Sequence, residues 1–445
     1  MRKVIIFYAS YGGGHLSAAK SIQKYITENY ENVETQMIDC MKYVNKPIEK
    51  VTTGAYREMA KKAPKLWGKV YEGSQKGLLS EISKDSNKLM AKKLGKLINE
   101  INPDLIISTH PFSSQMASYL KAKGKIDCEI ATILTDFAIH KQWLVGSEYT
   151  NNFFVSNDNM KNDMIELGIN ENKIHVTGIP MSDRFFENFD KEKIYKMFEL
   201  NPSKKVILFF GGGEFGLGKD RTVQVLEAFI KKLTDFQIVA VAGKNEKMKE
   251  AFEELVKNNQ AEDRVRVLGF TDKVPELMNI SCLVVSKPGG LTTTESLASN
   301  LPMIIINPIP GQEEENAEFL ESKGAGIWLR SDANPDEIID LVFKDENKLI
   351  EMRENAIKLA KKNHLVVIQN IALALIIKFA SIILGALGLA SMWLAIFADT
   401  GVTVIVVLNA LRLLYPLGEK AEDLPELKEV CDIKITNCDC ECKNH

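Results

Sequence analysis

Two long apolar runs close this 445-residue chain, Leu365 to Leu387 and Met392 to Leu414. Each reaches the roughly 20 residues that a helix needs to cross a hydrocarbon core about 30 Å thick. The chain before them mixes charged and apolar residues in the manner of a cytosolic enzyme. The sequence therefore reads as a catalytic body joined to a transmembrane helical hairpin. Lys361 and Lys362 ahead of the first run and Arg412 in the second place both ends of the hairpin in the cytosol, with a short turn near Gly388 to Ser391 on the far side.

The formal net charge of −3 is close to neutral, so bulk charge says little about partners and no nucleic acid is expected. Its distribution is more informative. From Met41 to Glu100 there are 14 Lys or Arg against 6 Asp or Glu, a local balance of +8, interleaved with Tyr56, Leu66, Trp67, Tyr71, Leu78 and Leu79. Such a segment suits the anionic lipids of a membrane face. Met1-Arg2-Lys3 runs straight into an apolar strand at Val4 with no secretory signal, which points to a cell-membrane location with the body on the cytosolic side. Cys40, Cys128 and Cys282 stand singly in the body and call for no disulfide, whereas Cys431, Cys438, Cys440 and Cys442 crowd the last fifteen residues.

The body reads as two α/β halves. Val4 to Ala9 is a short, wholly apolar run of the kind buried on both faces of a parallel sheet, followed by a glycine turn and a helix carrying Ala18, Ala19, Ile22 and Ile26 on one face. Leu105 to Ser108, Glu129 to Leu134 and Asn152 to Val155 are further strands. After Pro180 and a polar connection from Asp183 to Ser203 the pattern restarts: strand Val206 to Phe210, a glycine loop, and helix Arg221 to Leu233. Ile238 to Ala242, Val265 to Leu268, Cys282 to Ser286 and Met303 to Ile306 are the later strands. Alternation of this kind predicts two Rossmann-like domains facing a cleft, at residues 1–190 and 191–363, followed by the hairpin at 364–415 and a Cys-rich tail at 416–445. Ligands of such sheets bind beyond the carboxyl ends of the strands.

Three glycine-rich turns fall at such ends. Gly12-Gly13-Gly14-His15 follows the first strand, where glycines admit a ligand to the backbone and a helix start favours negative charge. A histidine there suits either acid–base work or a helix cap. Gly211 to Asp220 nearly spells a P-loop, but Asp220 replaces the hydroxyl that would hold magnesium and would repel phosphates. It is better read as a pyrophosphate-cradling turn without P-loop chemistry. The third turn is Ser286-Lys287-Pro288-Gly289-Gly290-Leu291-Thr292-Thr293-Thr294-Glu295, which opens a helix with small hydrogen-bonding residues. Glu295, one turn in, is placed to accept from both hydroxyls of a ribose. Pro308 to Asn316 beside it is rich in the polar groups a sugar ring needs.

Together, Tyr11 to His15, Ser108-Thr109-His110-Pro111-Phe112, Thr135-Asp136-Phe137 with His140 and Trp143, Thr177-Gly178-Ile179-Pro180, and Lys287 to Asn316 resemble the monogalactosyldiacylglycerol synthase family. That family includes the bacterial processive diacylglycerol glucosyltransferases. The likeness covers about Met1 to Lys362. It implies a GT-B fold and an inverting transfer of a hexose from a UDP-sugar to diacylglycerol or a glycosyldiacylglycerol. Carried onto this chain, it implies His15 as the acceptor-activating base and Asp136 as a second base or an orienting partner of the imidazole. Gly13, Gly14, His140 and Trp143 would line the acceptor. Gly212, Gly213 and the helix start at Lys287, Gly289, Gly290, Thr292 and Thr293 would hold the diphosphate, Glu295 the ribose, and Gly269 and Phe270 the uracil. Gln312, Glu313 and Asn316 would hold the hexose. Backbone amides and a helix dipole would meet the diphosphate charge, so no metal or other cofactor is required.

Beyond Asn363 the likeness changes. Lys378, Leu384 to Gly388, Met392-Trp393, Phe397 to Gly401 and Leu408 to Arg412 resemble the last two membrane helices of heavy-metal P-type ATPases, with Lys378 and Asp399 at metal-handling positions. The chain has no Asp-Lys-Thr-Gly phosphorylation motif and no Cys-Pro-Cys membrane motif, so it is not a pump. Cys438, Cys440 and Cys442 form a soft-metal candidate site. Two alternatives stay open: a GT-B transferase for another lipid acceptor, and a membrane metal-binding or transport accessory protein with an incidental transferase-like body.

Overall fold

A computed structural model describes residues 2–9, 13–44, 91–212, 218–345 and 347–360. The hairpin with its ATPase-like positions, the Cys tail, residues 45–90 of the basic segment, and Gly213 lie outside the described residues. Among the described residues no helix is long and apolar enough to cross a membrane.

The body, Met1–Asn363, is one compact unit built on two six-stranded parallel sheets. The first contains β1 (Arg2–Tyr8), β2 (Val33–Asp39), β3 (Leu105–Ser108), β4 (Glu129–Ile133), β5 (Asn152–Val155) and β6 (Ile174–Val176), in spatial order β2-β1-β3-β4-β5-β6. The second contains β7 (Val206–Phe210), β8 (Gln237–Val241), β9 (Val265–Leu268), β10 (Ser281–Ser286), β11 (Met303–Ile305) and β12 (Gly326–Trp328), in order β12-β11-β10-β7-β8-β9. Central strands are buried on both faces: Ile5, Ile6 and Phe7 in β1 and Val206 to Phe209 in β7 expose nothing to solvent. Phe209 shows how a sheet face is closed. Its ring meets Phe229 and Phe252 edge-on at 6.2 and 5.9 Å, in a pocket built from the helices that follow β7 and β8. Burying one such side chain is worth about 1.5–3 kcal/mol.

The strand orders locate the ligand crevice. In the first sheet the chain leaves β1 for β2 on one side, then returns past β1 to β3 and continues the other way. The second repeats this, with β8 and β9 on one side of β7 and β10 onward on the other. The loops leaving β1 and β3, and those leaving β7 and β10, therefore diverge to opposite faces and leave a gap between them. Every glycine turn singled out in the sequence leaves one of these four strands.

Candidate active site

Helix α1 (Gly13–Asn29) carries His15 in its first turn, directly beyond β1. The imidazole Nδ1 lies 2.6 Å from the main-chain oxygen of Thr109, in the loop leaving β3. A carbonyl only accepts, so Nδ1 carries the proton and Nε2 presents a lone pair. Thr135 Oγ1, beyond β4, stands 3.0 Å from the same Nδ1 and shares that proton. Thr109 holds the residue from a second side, since its hydroxyl donates to the His15 carbonyl at 3.0 Å. Burial pushes the imidazole down to about 4, with the Thr109 bond opposing. The ring is thus neutral at physiological pH.

His110 packs edge-on against His15 at 4.6 Å between centroids. Its Nδ1 accepts from the Phe112 amide and caps α2 (Pro111–Ala122), and burial holds it well below the usual histidine range. Thr109 and His110 were legible only as part of a resemblance. Their position after β3, at the point where the strand order reverses, is the signal that singles them out. Trp143, expected at the acceptor, is instead buried at 3% exposure with Leu134, Phe153 and Val155. Its ring is 6.4 Å from that of His15, so it backs the imidazole and offers little surface of its own. His140 is half-buried, and its Nδ1 accepts from the Gln142 amide at 3.2 Å, capping the turn Lys141–Leu144. Among the described residues nothing lies where a side chain at Gly13 would go, while Gly14 lies close to Leu291 of the opposite half.

The loop Thr135-Asp136-Phe137 crosses the cleft. Asp136 is buried, and its carboxylate accepts from Gln312 Nε2 and, at 3.4 Å, from Asn316 Nδ2. The expectation that Asp136 orients the imidazole is thereby corrected: the Thr109 carbonyl and Thr135 hydroxyl do that, and the carboxylate turns to the other half. Burial pushes Asp136 up to about 7 against the lowering effect of those two amide bonds, and Glu315 and Glu313 add to the rise. Asn316 Oδ1 accepts from the Phe137 amide at 2.8 Å, and the Phe137 ring lies 4.9 Å from Phe319.

Helices α4 (Gly290–Ala298) and α5 (Gln312–Ser322) form the facing wall, with α3 (Lys219–Lys232) following the second glycine turn. Gly212 has φ of +82°, a conformation that favours glycine, and among the described residues nothing occupies the space a side chain would fill. Lys287 Nζ pairs with Glu313 Oε1 at 3.2 Å, while Glu313 Oε2 accepts from the Ile309 amide at 2.7 Å. Gly289 caps α4 without a side chain, so its first amides have no side-chain cap. Thr292 is half-buried in the first turn; Thr293 is fully buried, with its hydroxyl unpartnered among the described residues. Glu295 has no side-chain hydrogen bond among the described residues, and burial alone pushes it up to about 8. A β-carbon at Gly269 would stand 3.7 Å from the Gly243 carbonyl, and Phe270 beside it is 69% exposed with Lys244 Nζ 5.3 Å from its ring centroid. The result is one polarised cleft: a neutral imidazole on one wall, and on the other a helix start without a side-chain cap and, one turn in, a carboxylate with no side-chain hydrogen bond among the described residues.

Both halves of the body are similar to known proteins. Residues 15–181 match the family described as monogalactosyldiacylglycerol (MGDG) synthase, and residues 190–363 match glycosyl transferases group 1. The processive diacylglycerol beta-glucosyltransferase of Bacillus subtilis (strain 168) is 31% identical over 355 residues, covering 80% of this chain and 90% of that protein. The protein of the same name from Bacillus licheniformis is 30% identical over 355 residues, with the same coverage. Among solved structures, a UDP-GlcNAc 2-epimerase from Neisseria meningitidis bound to UDP-GlcNAc has a TM-score of 0.55 at 15% identity, covering 83% of this chain and 99% of that one. The MurG of Acinetobacter baumannii has a TM-score of 0.53 at 14% identity, covering 81% and 95%. These two likenesses show the shared two-sheet GT-B-like fold.

Proposed function

We propose, on the premise that this chain belongs to the family of processive diacylglycerol beta-glucosyltransferases, that it transfers a hexose from a UDP-sugar to diacylglycerol or a glycosyldiacylglycerol with inversion. The observation that carries the reading is His15 held through Nδ1 by the Thr109 carbonyl, which leaves Nε2 to accept a proton, at the start of a helix that approaches α4 where Gly14 nears Leu291. In the proposed reaction Nε2 takes the proton of the acceptor hydroxyl as that oxygen bonds to the anomeric carbon. The bond from that carbon to the diphosphate oxygen breaks, and UDP leaves with the electron pair. The α4 amides, with Gly212 nearby, meet the charge that builds on the diphosphate. Glu295 takes the ribose hydroxyls and Phe270 the uracil, while Gln312, Glu313 and Asn316 hold the hexose. No metal or cofactor enters this scheme.

The test is incubation of the full chain with labelled UDP-glucose or UDP-galactose and detergent-dispersed diacylglycerol. Labelled glycolipid is expected with one of the two donors; none with either donor, on diacylglycerol or its monoglycosyl form, sinks the reading. The donor assignments have their own check. Glu295→Ala should weaken UDP and UDP-hexose alike, because both carry the ribose, whereas Gln312→Ala should weaken the sugar nucleotide alone. Calorimetry giving the reverse pattern would exchange the roles of the two helices.

The two C-terminal apolar runs are proposed to anchor the body at the cytosolic face of the membrane, with the basic Met41 to Glu100 segment adding attraction to anionic lipids. A chain ending at Asn363 should be released from membranes by high salt, which screens the remaining electrostatic attraction, while the full chain stays bound. Salt-resistant binding of the shortened chain would point to deep insertion by the body itself.

A further inference from the structure

Thr135 touches both walls of the cleft. Its hydroxyl is 3.0 Å from His15 Nδ1. Its carbonyl lies against the α-carbon of Gly290, so closely that a β-carbon there would stand 2.9 Å from the Thr135 carbonyl carbon and still nearer its oxygen. The residues that follow are gripped from both sides. Ser156 Oγ donates to the Asp136 carbonyl at 2.8 Å and Asn157 Nδ2 to the Phe137 carbonyl at 3.0 Å, from the end of β5. From the other half Asn316 accepts the Phe137 amide, and Phe319 packs on the Phe137 ring. The short path from α4 and α5 to the imidazole therefore runs through one hydroxyl.

We propose that Thr135 is a positioning residue for His15, and that through it the alignment of the base depends on the docking of α4 and α5 against the loop at residues 135–137. The proposal rests on the reading of His15 as the base. Thr109 supplies the carbonyl that fixes the tautomer, but it belongs to the same half as His15 and cannot report on the other. Among the described residues it is Thr135 that joins the ring by a hydrogen bond to a segment that the donor-side helices hold. When the halves part, the contacts of Gly290, Asn316 and Phe319 with this loop are lost, and the threonine hydroxyl is freed to leave the ring. When they dock, the hydroxyl accepts from Nδ1–H and steadies the charge that forms there as Nε2 takes a proton. Proton transfer is thereby reserved for the closed cleft, where water is excluded.

The test uses the full chain. Thr135→Val keeps the shape and removes the acceptor; it should lower kcat about tenfold or more, the loss expected for one hydrogen bond to a group that becomes charged, with KM for the UDP-hexose within about twofold. Thr135→Ser should restore at least half of wild-type turnover, and Thr135→Ala, which removes the methyl as well, should behave like the valine variant. In a His15→Ala background Thr135→Val should change the residual rate by less than about twofold, since it acts through the imidazole. Phe319→Leu, which loosens the docked loop without touching either site, should lower kcat several-fold when Thr135 is present and add little to Thr135→Val. The proposal is overturned if Thr135→Val keeps full turnover, if its loss persists in the His15→Ala background, or if Thr135→Ser fails to rescue. Independent, multiplying effects of Phe319→Leu and Thr135→Val would remove the link to α5. Retained turnover in His15→Ala alone would instead count against the base assignment, so the two failures are distinguishable.

Discussion

Alanine at position 15 is expected to lower glycosyl transfer by ~10²–10⁴-fold, the range for loss of a general base, while leaving UDP-hexose affinity nearly unchanged. The split follows from where the residue sits. His15 opens α1 on the first sheet, and the groups assigned to the donor lie on α4, α5 and the loops of the second. Steady-state turnover and calorimetric affinity for the donor, measured on one preparation, separate the two. More than about a third of wild-type turnover in the variant would make His15 a helix-start residue and place the base elsewhere. The same site sets a pH dependence. Only the neutral imidazole accepts a proton, and burial holds His15 down at about 4 from an ordinary 6.5. Activity resting on this group should be full above neutrality, persist well below pH 6.5, and fall only as pH drops through the lowered value. An acid limb centred near 6.5 would mean that the imidazole is far better solvated than its surroundings allow.

Gly290→Ala should be nearly as damaging for a different reason. A β-carbon at this position meets the Thr135 carbonyl oxygen well inside contact distance, its carbon at 2.9 Å, and Asp136 Oδ1 at 3.2 Å. The first two are backbone atoms of a loop tied down by Ser156, Asn157 and Asn316, so they cannot swing aside as a side-chain tip would. The walls of the cleft must separate by roughly an ångström, and misplacement of that size costs on the order of 10²-fold in rate. Both sheets and their cores are untouched, so the thermal unfolding midpoint should move far less than the activity. Turnover above about a tenth of wild type would show that the reaction proceeds with the halves further apart than they stand here.

The interior of each sheet was readable because strands buried on both faces are short unbroken apolar runs, and β1, β3, β7, β8 and β11 are placed within a residue or two by that signal. Three strands escaped it: β2, β6 and β12, all at sheet edges. None of the seven residues of β2 is fully buried, and its sequence Val-Glu-Thr-Gln-Met-Ile-Asp lacks the continuous run. An edge strand has one hydrogen-bonding side and part of its faces exposed, so little in its composition separates it from a loop. The glycine turns were legible through backbone need, as at Gly212 and Gly290. The partners of His15 were not. A main-chain carbonyl carries no residue signature, so the part played by Thr109 is invisible in sequence. Thr135 and Asp136 sit side by side, and only the fold reveals that the hydroxyl faces the base while the carboxylate turns to Gln312.

Phe137 arrives with the chain of the first sheet but is a member of the second half's apolar core, at 6% exposure among Phe319, Leu297 and Ile305, and Ile179 joins it there. The second half is thus not finished by its own sequence. A hybrid that exchanges the donor-side half between two relatives, cut in the connection after Pro180, would bring a socket made for one aromatic plug to another protein's plug. Altering sugar choice by such an exchange should therefore succeed only when residues 135–137 and Ile179 travel with the incoming half, although they precede the cut in the chain.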